Sequence, residues 1–131
     1  MNLKELPIEA IEAIFDNLTV DVSFVDAEDR VKFFNSPKEG RIFPRTKMDL
    51  GRKVQNCHPP QSVHKVNEIL DGFKNGTLDD ARFWIQLHGK FITIDYFPVR
   101  DENGNYLGTL EVSQDTTRIR GLEGNKRLLQ E

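Results

Sequence analysis

The chain has 131 residues, of which 37% are hydrophobic and 30% charged, with a net charge of −3; this describes one soluble globular domain with a single core. The acidic balance excludes the basic footprint of a nucleic-acid-binding surface and weakens any attraction to an anionic membrane. One cysteine, Cys57, rules out an intrachain disulfide and points to a reducing compartment. No apolar run approaches the roughly 20 residues that cross a bilayer. Met1 to Leu6 lacks the apolar stretch and cleavage site of a signal peptide, so a cytoplasmic location is expected.

The first element runs from about Pro7 to Leu18. Ile8, Ile11, Ile14, Phe15 and Leu18 recur at helical spacing while Glu9, Glu12 and Asp16 fall on the other side, so this is an amphipathic helix that must lay its apolar stripe on something. Val20 to Val25 alternates as a strand, Asp26 to Asp29 turns, and Arg30 to Phe34 returns as the second arm of a hairpin. Asn35 to His58 holds Pro37, Gly40, Pro44 and Gly51, which predicts short helical turns joined by loops. Pro59-Pro60 opens a clearer helix whose apolar face is Val63, Val66, Ile69, Leu70 and Phe73, and Gly76 ends it. Strands follow at Asp80 to His88, Phe91 to Val99 and Tyr106 to Gln114, separated by the short link at Gly89 and by the Asp101 to Asn105 turn. Five strands in this order make an α+β fold, one antiparallel sheet with its helices gathered on one face.

Several strings in this order resemble the PAS domain family. "VSFVDAEDRVKFFN" (Val22 to Asn35) is similar to the family's opening hairpin, with Asn35 where the family often has asparagine. "DLGRKV" (Asp49 to Val54) resembles the loop before the central helix. "YFPVRDENGNYLGTLEVSQDTT" (Tyr96 to Thr117) carries the proline ending the fourth strand, the turn, the glycine early in the fifth strand, and a version of the family's Asp-Ile-Thr ending. Thr116 departs from the usual isoleucine, which puts the apolar anchor of that strand in doubt. The resemblance implies strand order 2-1-5-4-3 and a cleft between sheet and middle helices. It divides the chain into an N-terminal amphipathic helix (1–19), a PAS core (20–117) and a short tail (118–131). "GRKVQNCHPPQSVHKVNEIL" and "RIRGLEGNKRLLQE" further resemble a PAS subgroup that closes bacterial and archaeal proteins, after a domain of unknown function and a hemerythrin-like domain.

Cys57-His58-Pro59-Pro60 is the most distinctive local string. The prolines place Cys57 and His58 at the start of a helix, where backbone N–H groups favour a thiolate, a redox thiol or a haem or metal position. The simpler reading makes Cys57 a small buried hydrophobe and His58 a loop-ordering side chain. Cys57, His58 and His64 lack the ligand spacing of a zinc site, and His64 falls opposite the buried side of its helix. A ligand pocket in the cleft would draw on Phe34, Cys57, His58, Val66, Leu70, Trp84 and Tyr96. Ordinary sheet packing competes for the aromatics, among them Phe33, Phe91 and Phe97, and a dimer face competes for Trp84. Asp95 sits mid-strand with a mixed register, so it either anchors a ligand or faces water.

Asp115 and Thr117 can cap the short helical tail, and the resemblance makes this junction the coupling point to output. The tail leaves no room for a downstream effector, so output is expected to pass to a preceding domain, a dimer partner or another protein. The leading expectation is a sensory and regulatory module that binds a small ligand or a partner protein, with a homodimer formed through the N-terminal helix or the sheet face. A haem, flavin or thiol sensor and a ligand-free dimerisation domain are the alternatives. No catalytic triad, phosphate loop or metalloprotease pattern supports an enzyme.

Overall fold

A computed structural model describes residues 2–129; Met1, at the head of the N-terminal segment, and Gln130 and Glu131, at the end of the tail, lie outside the described residues. Strands β1 (Asp21–Asp26), β2 (Val31–Phe34), β3 (Ala81–Leu87), β4 (Lys90–Arg100) and β5 (Tyr106–Asp115) form one antiparallel sheet in the order β2-β1-β5-β4-β3. This is the order that the family resemblance implied. Helix α1 (Ile8–Asp16) precedes the sheet, α2 (Pro60–Asn75) crosses one of its faces, and the single turn α3 (Thr117–Arg120) follows it. The irregular middle contains 3-10 turns at Lys47–Asp49 and Val54–Cys57.

Pairing fixes which side chains share a face. Ser23 pairs with Glu111 and Phe34, Val25 with Thr109, Tyr96 with Glu111, and Phe83 with Ile94. These residues point to the inner face, toward α2, and their neighbours in sequence point away. The core is built on the inner face from Val25, Val31, Val54 and Leu70, with Phe34, Cys57 and Val66 packed against it. Phe73 is fully buried beneath the same helix. Each such side chain contributes about 1.5–3 kcal/mol by leaving water. Helix α2 stops where Gly76 takes the left-handed conformation, at φ 80°.

Helix α1 makes less of its apolar stripe. Phe15 packs edge-on against Phe33 on the outer face, with ring centroids 5.2 Å apart. Ile8, Ile14 and Leu18 remain 63%, 50% and 40% exposed. Three of the five side chains in the predicted stripe are therefore largely without cover.

Strand β1 has polar side chains on its buried inner face. Asp21 and Ser23 are 2% and 1% exposed. Asp21 accepts backbone N–H bonds from Ile42 (3.1 Å) and Phe43 (2.9 Å) and lies 3.7 Å from the Arg41 guanidinium. Arg41 in turn donates to the carbonyls of Phe43, Val22 and Asn35, to Asn35 Oδ1, and to Ser23 Oγ. Asn35 accepts from the Val22 N–H at 2.7 Å and donates to the carbonyls of Phe15 and Val20. Burying these groups is tolerable only because each finds a partner. The network ties α1, β1, β2 and the following loop together, and it explains why asparagine stands at the end of β2.

Gly108 in β5 marks a close approach of strands. A Cβ built there would sit 2.2 Å from the Val25 carbonyl oxygen and 2.6 Å from the Phe24 ring. At the next turn Asp101 Oδ1 accepts from the N–H groups of Asn103 and Asn105, both at 2.9 Å, and Gly104 takes φ 84°.

Candidate ligand-binding site

A cavity of about 430 Å³ lies between α2 and the inner face of β1, β3, β4 and β5. Its apolar walls come from Val25 and Val54 on one side, Val66, Ile69 and Leu70 on α2, and Phe83 and Ile94 on the sheet. Its polar side chains are Ser23, Thr109 and Glu111 on the central strands, Tyr96 on β4, His58 and Arg45 from the loops, and Gln61, Ser62 and Lys65 on the first turns of α2. A second cavity of about 510 Å³ adjoins it beneath Phe43, Asp49, Arg52 and Cys57, and Arg45, His58, Ile94, Tyr96 and Glu111 border both. Apolar walls with a few convergent polar groups are the usual make-up of a small-molecule pocket.

The polar wall is electrostatically uneven. Burial first, and then the charge and hydrogen bonding of the facing Glu111 carboxylate, push the Tyr96 hydroxyl well above its ordinary range, so it stays protonated as a donor. Burial lowers the His58 pKa from 6.5, with Glu111 pulling it up and Arg45 pushing it down. His58 is therefore an uncharged imidazole near neutral pH.

Local sequence explains how His58 reaches this position. The residue before a proline is driven to extended backbone, and His58 adopts φ −122°, ψ 152° between the 3-10 turn and Pro59. That geometry carries the ring off the end of Val54–Cys57 and into the wall shared by both cavities. Cys57 ends the 3-10 turn, and its thiol donates to the Lys53 carbonyl with Sγ 3.8 Å away. Helix α2 starts at Pro60 with Pro59 as its N-cap, and neither proline has an N–H to offer a thiolate. Of the two readings of the Cys-His-Pro-Pro string, the geometry favours the simpler one, with Cys57 packed against the core and its thiol turned to the Lys53 carbonyl.

The other sequence candidates separate by face. Val66, Leu70, His58 and Tyr96 border the first cavity, and Cys57 borders only the second. Phe34 points inward but is spent on the core, with Arg41 over its ring at 5.5 Å. Trp84 lies one residue beyond the inward-facing Phe83 and so falls on the outer face, 67% exposed. It does not line the cavity. Phe91 and Phe97 share that outer face, under the guanidinium groups of Arg120 (3.7 Å) and Arg82 (4.9 Å). Asp95 also faces outward and pairs with Arg82 at 3.3 Å, which resolves its register against ligand anchoring. His64 is 87% exposed at its side chain and pairs with Glu68. Among the described residues no three His, Cys, Asp or Glu side chains group as a metal site would require.

Sequence reasoning missed Arg45 and Glu111. Glu111 had a usable signal, because it is a carboxylate flanked by Leu110 and Val112 in a strand with neighbours on both sides. Arg45 sits in the aperiodic loop and had none.

The end of β5 forms a tight junction. Asp115 Oδ1 accepts from the Thr117 N–H (3.0 Å) and hydroxyl (2.6 Å), and Thr117 Oγ1 accepts from the Phe91 N–H at 2.9 Å. Those bonds to Thr117 hold the Asp115 carboxyl below its usual range. Thr116 bonds the Phe91 carbonyl through both its N–H (2.8 Å) and its hydroxyl (3.0 Å). Hydrogen bonds to the start of β4 thus stand where the family more often has an apolar anchor.

Comparison with known proteins agrees with this architecture. A family model described as PAS domain matches residues 11–117. The C-terminal domain of a Streptococcus mutans protein is 33% identical, with 90% of this chain and 91% of that chain covered and a TM-score of 0.82. A PAS domain from Colwellia psychrerythraea is 18% identical, with 85% of this chain and 98% of that chain covered, at a TM-score of 0.59. The PAS domain of Bordetella pertussis BvgS is 16% identical, with 82% and 85% covered, at the same TM-score of 0.59. Among curated proteins no sequence matches significantly. The match to the family model, the strand order and the hairpin, turn and glycine signatures agree, and the chain belongs to the PAS domain family.

Proposed function

We propose that this domain is a sensory module that takes a small organic ligand between α2 and the sheet and passes the bound state to the Asp115–Thr117 junction. The observation that carries the reading is the cavity of about 430 Å³ between the core and the polar wall of His58, Tyr96 and Glu111. A domain devoted to dimerisation alone gains stability by filling such a space with side chains. Strand β5 connects the two regions, because Glu111 borders the cavity and Asp115 ends the same strand. PAS domains are sensory rather than catalytic in general, and the reading contains no catalytic step.

The test has two arms. Freshly purified protein is examined by absorbance and by native mass spectrometry, then compared with Val66→Trp, which fills the cavity from α2. A retained small molecule, or one found by thermal-shift screening, is expected to be lost from the variant while its far-UV spectrum stays native. Ligand binding that survives the filled cavity would overturn the site. A Soret or flavin band would identify a haem or flavin as the ligand.

Homodimerisation is the companion proposal. The uncovered side chains of Ile8 and Ile14 on α1 and of Leu18 just after it, with Trp84 on the outer face, support a second copy as the partner. Sedimentation of the protein against Ile8→Glu/Ile14→Glu tests it, and an unchanged monomer mass in both would refute it.

A further inference from the structure

Arg45 and Glu111 carry opposite charges, both are half-buried, and both border the two cavities. His58 and Tyr96 feel both charges. Yet the two do not form an ion pair, and among the described residues Arg45 has no carboxylate in salt-bridge range. Partly desolvated charges that share a cavity without meeting are costly unless something completes them. The neighbouring Arg41 shows the contrast, because it is saturated by Asp21 and by carbonyl groups.

A ligand with one charge leaves the opposite problem. A simple carboxylate would satisfy Arg45 and be repelled by Glu111. A simple amine would satisfy Glu111 and be repelled by Arg45. A phosphate ester would bring two negative charges to Glu111. The other charged lining residue, Lys65, is exposed and already paired with Glu68 at 3.4 Å; Ser23, Gln61, Ser62 and Thr109 are uncharged, and Val25, Val54, Leu70 and Phe83 supply an apolar wall. We propose that the cavity takes a small zwitterion with an apolar body, an apolar or aromatic α-amino acid being the simplest member. Its ammonium group is held by Glu111, its carboxylate by Arg45, and its side chain lies over the apolar wall. The Tyr96 hydroxyl, paired across the strands with Glu111, fixes the carboxylate that receives the ammonium. This assignment rests on the ligand-binding reading above and specifies the ligand.

The test is calorimetric titration of the full chain with L-phenylalanine, hydrocinnamate and phenethylamine, which share one apolar body and differ only in their charges. The amino acid is expected to bind at least about tenfold tighter than either analogue, a difference of about 1.4 kcal/mol. Glu111→Gln should weaken the amino acid by about tenfold or more and leave hydrocinnamate equal or tighter. Arg45→Gln should weaken the amino acid and spare phenethylamine. A single-charge analogue that binds as tightly as the amino acid overturns the assignment, as does an unchanged affinity in Glu111→Gln. If L-phenylalanine and L-leucine both fail to bind while another molecule is lost from Val66→Trp, the zwitterion falls and the cavity reading stands. If nothing binds the wild-type protein in either experiment, both fall.

Discussion

Replacing Arg41 by methionine removes the guanidinium beside Asp21 while roughly keeping the length of the side chain. Asp21 is 2% exposed and the Arg41 side chain 7%, so water cannot take over either role. The substitution leaves the Asp21 carboxylate on two backbone N–H groups without a counter-charge. It also strips donors from the carbonyls of Val22, Asn35 and Phe43 and from Ser23 Oγ. Breaking one side of a buried pair costs about 3–5 kcal/mol. A domain of this size has about 5–15 kcal/mol in total, so the loss is large. Asp21→Asn/Arg41→Met removes both charges together, and its cost is expected to fall short of the sum of the single variants by about 1–3 kcal/mol. The assay is urea denaturation at neutral pH followed by far-UV circular dichroism, because the exposed Trp84 reports burial poorly. A single-variant loss below about 1 kcal/mol, or strict additivity in the double variant, would falsify the claim that this network is desolvated and mutually dependent.

Gly108→Ala places a methyl group 2.2 Å from the Val25 carbonyl, so β1 and β5 must separate. A loss of about 2–4 kcal/mol is expected by denaturant unfolding. Gly40→Ala, at φ 89° but in open space, should cost only about 1–2 kcal/mol; equal losses would remove the steric argument. His58 titration makes stability pH-dependent. Its folded pKa lies below the unfolded 6.5, so the unfolded chain binds more protons between those values. Stability is complete above 6.5 and declines as the pH falls through that window, and His58→Gln should flatten this part of the curve. A wild-type profile unaffected by the substitution would reassign the effect. Thr117→Val deletes the hydroxyl that links Asp115 to the Phe91 N–H. A loss of about 1–2 kcal/mol and faster hydrogen exchange at Phe91 are expected. Unchanged exchange there would show that Thr116 alone holds the junction.

Much of this molecule was legible before any coordinates. Element types and order followed from periodicity, since Ile, Val and Phe at strand spacing and the Val63 to Phe73 stripe have few alternative readings. The stops were equally plain, because Gly76 and the Asp101 to Asn105 turn need conformations that few other residues supply. The Asp-Thr-Thr ending and the Asn35 position were visible as strings, and the hydrogen bonds supply their reasons. Candidates on α2 and at His58 also reached the cavity, because helical phase and pre-proline geometry are local properties.

Tertiary structure alone decided the rest. Alternation divides a strand into two faces but does not say which is inside. Asp21 and Ser23 point inward because Arg41, from a loop far along the chain, arrives to satisfy them. Trp84 points outward for the same reason of phase, since Phe83 opposite Ile94 occupies the inner side. The Cys57 thiol is turned to the Lys53 carbonyl by a 3-10 turn that has no sequence period. Arg45 and Glu111 come from an aperiodic loop and from the central strand, and only folding brings them to one cavity wall. A sequence determines local geometry through backbone sterics and burial preference, but a charge's partner depends on which distant segment the packed chain places beside it.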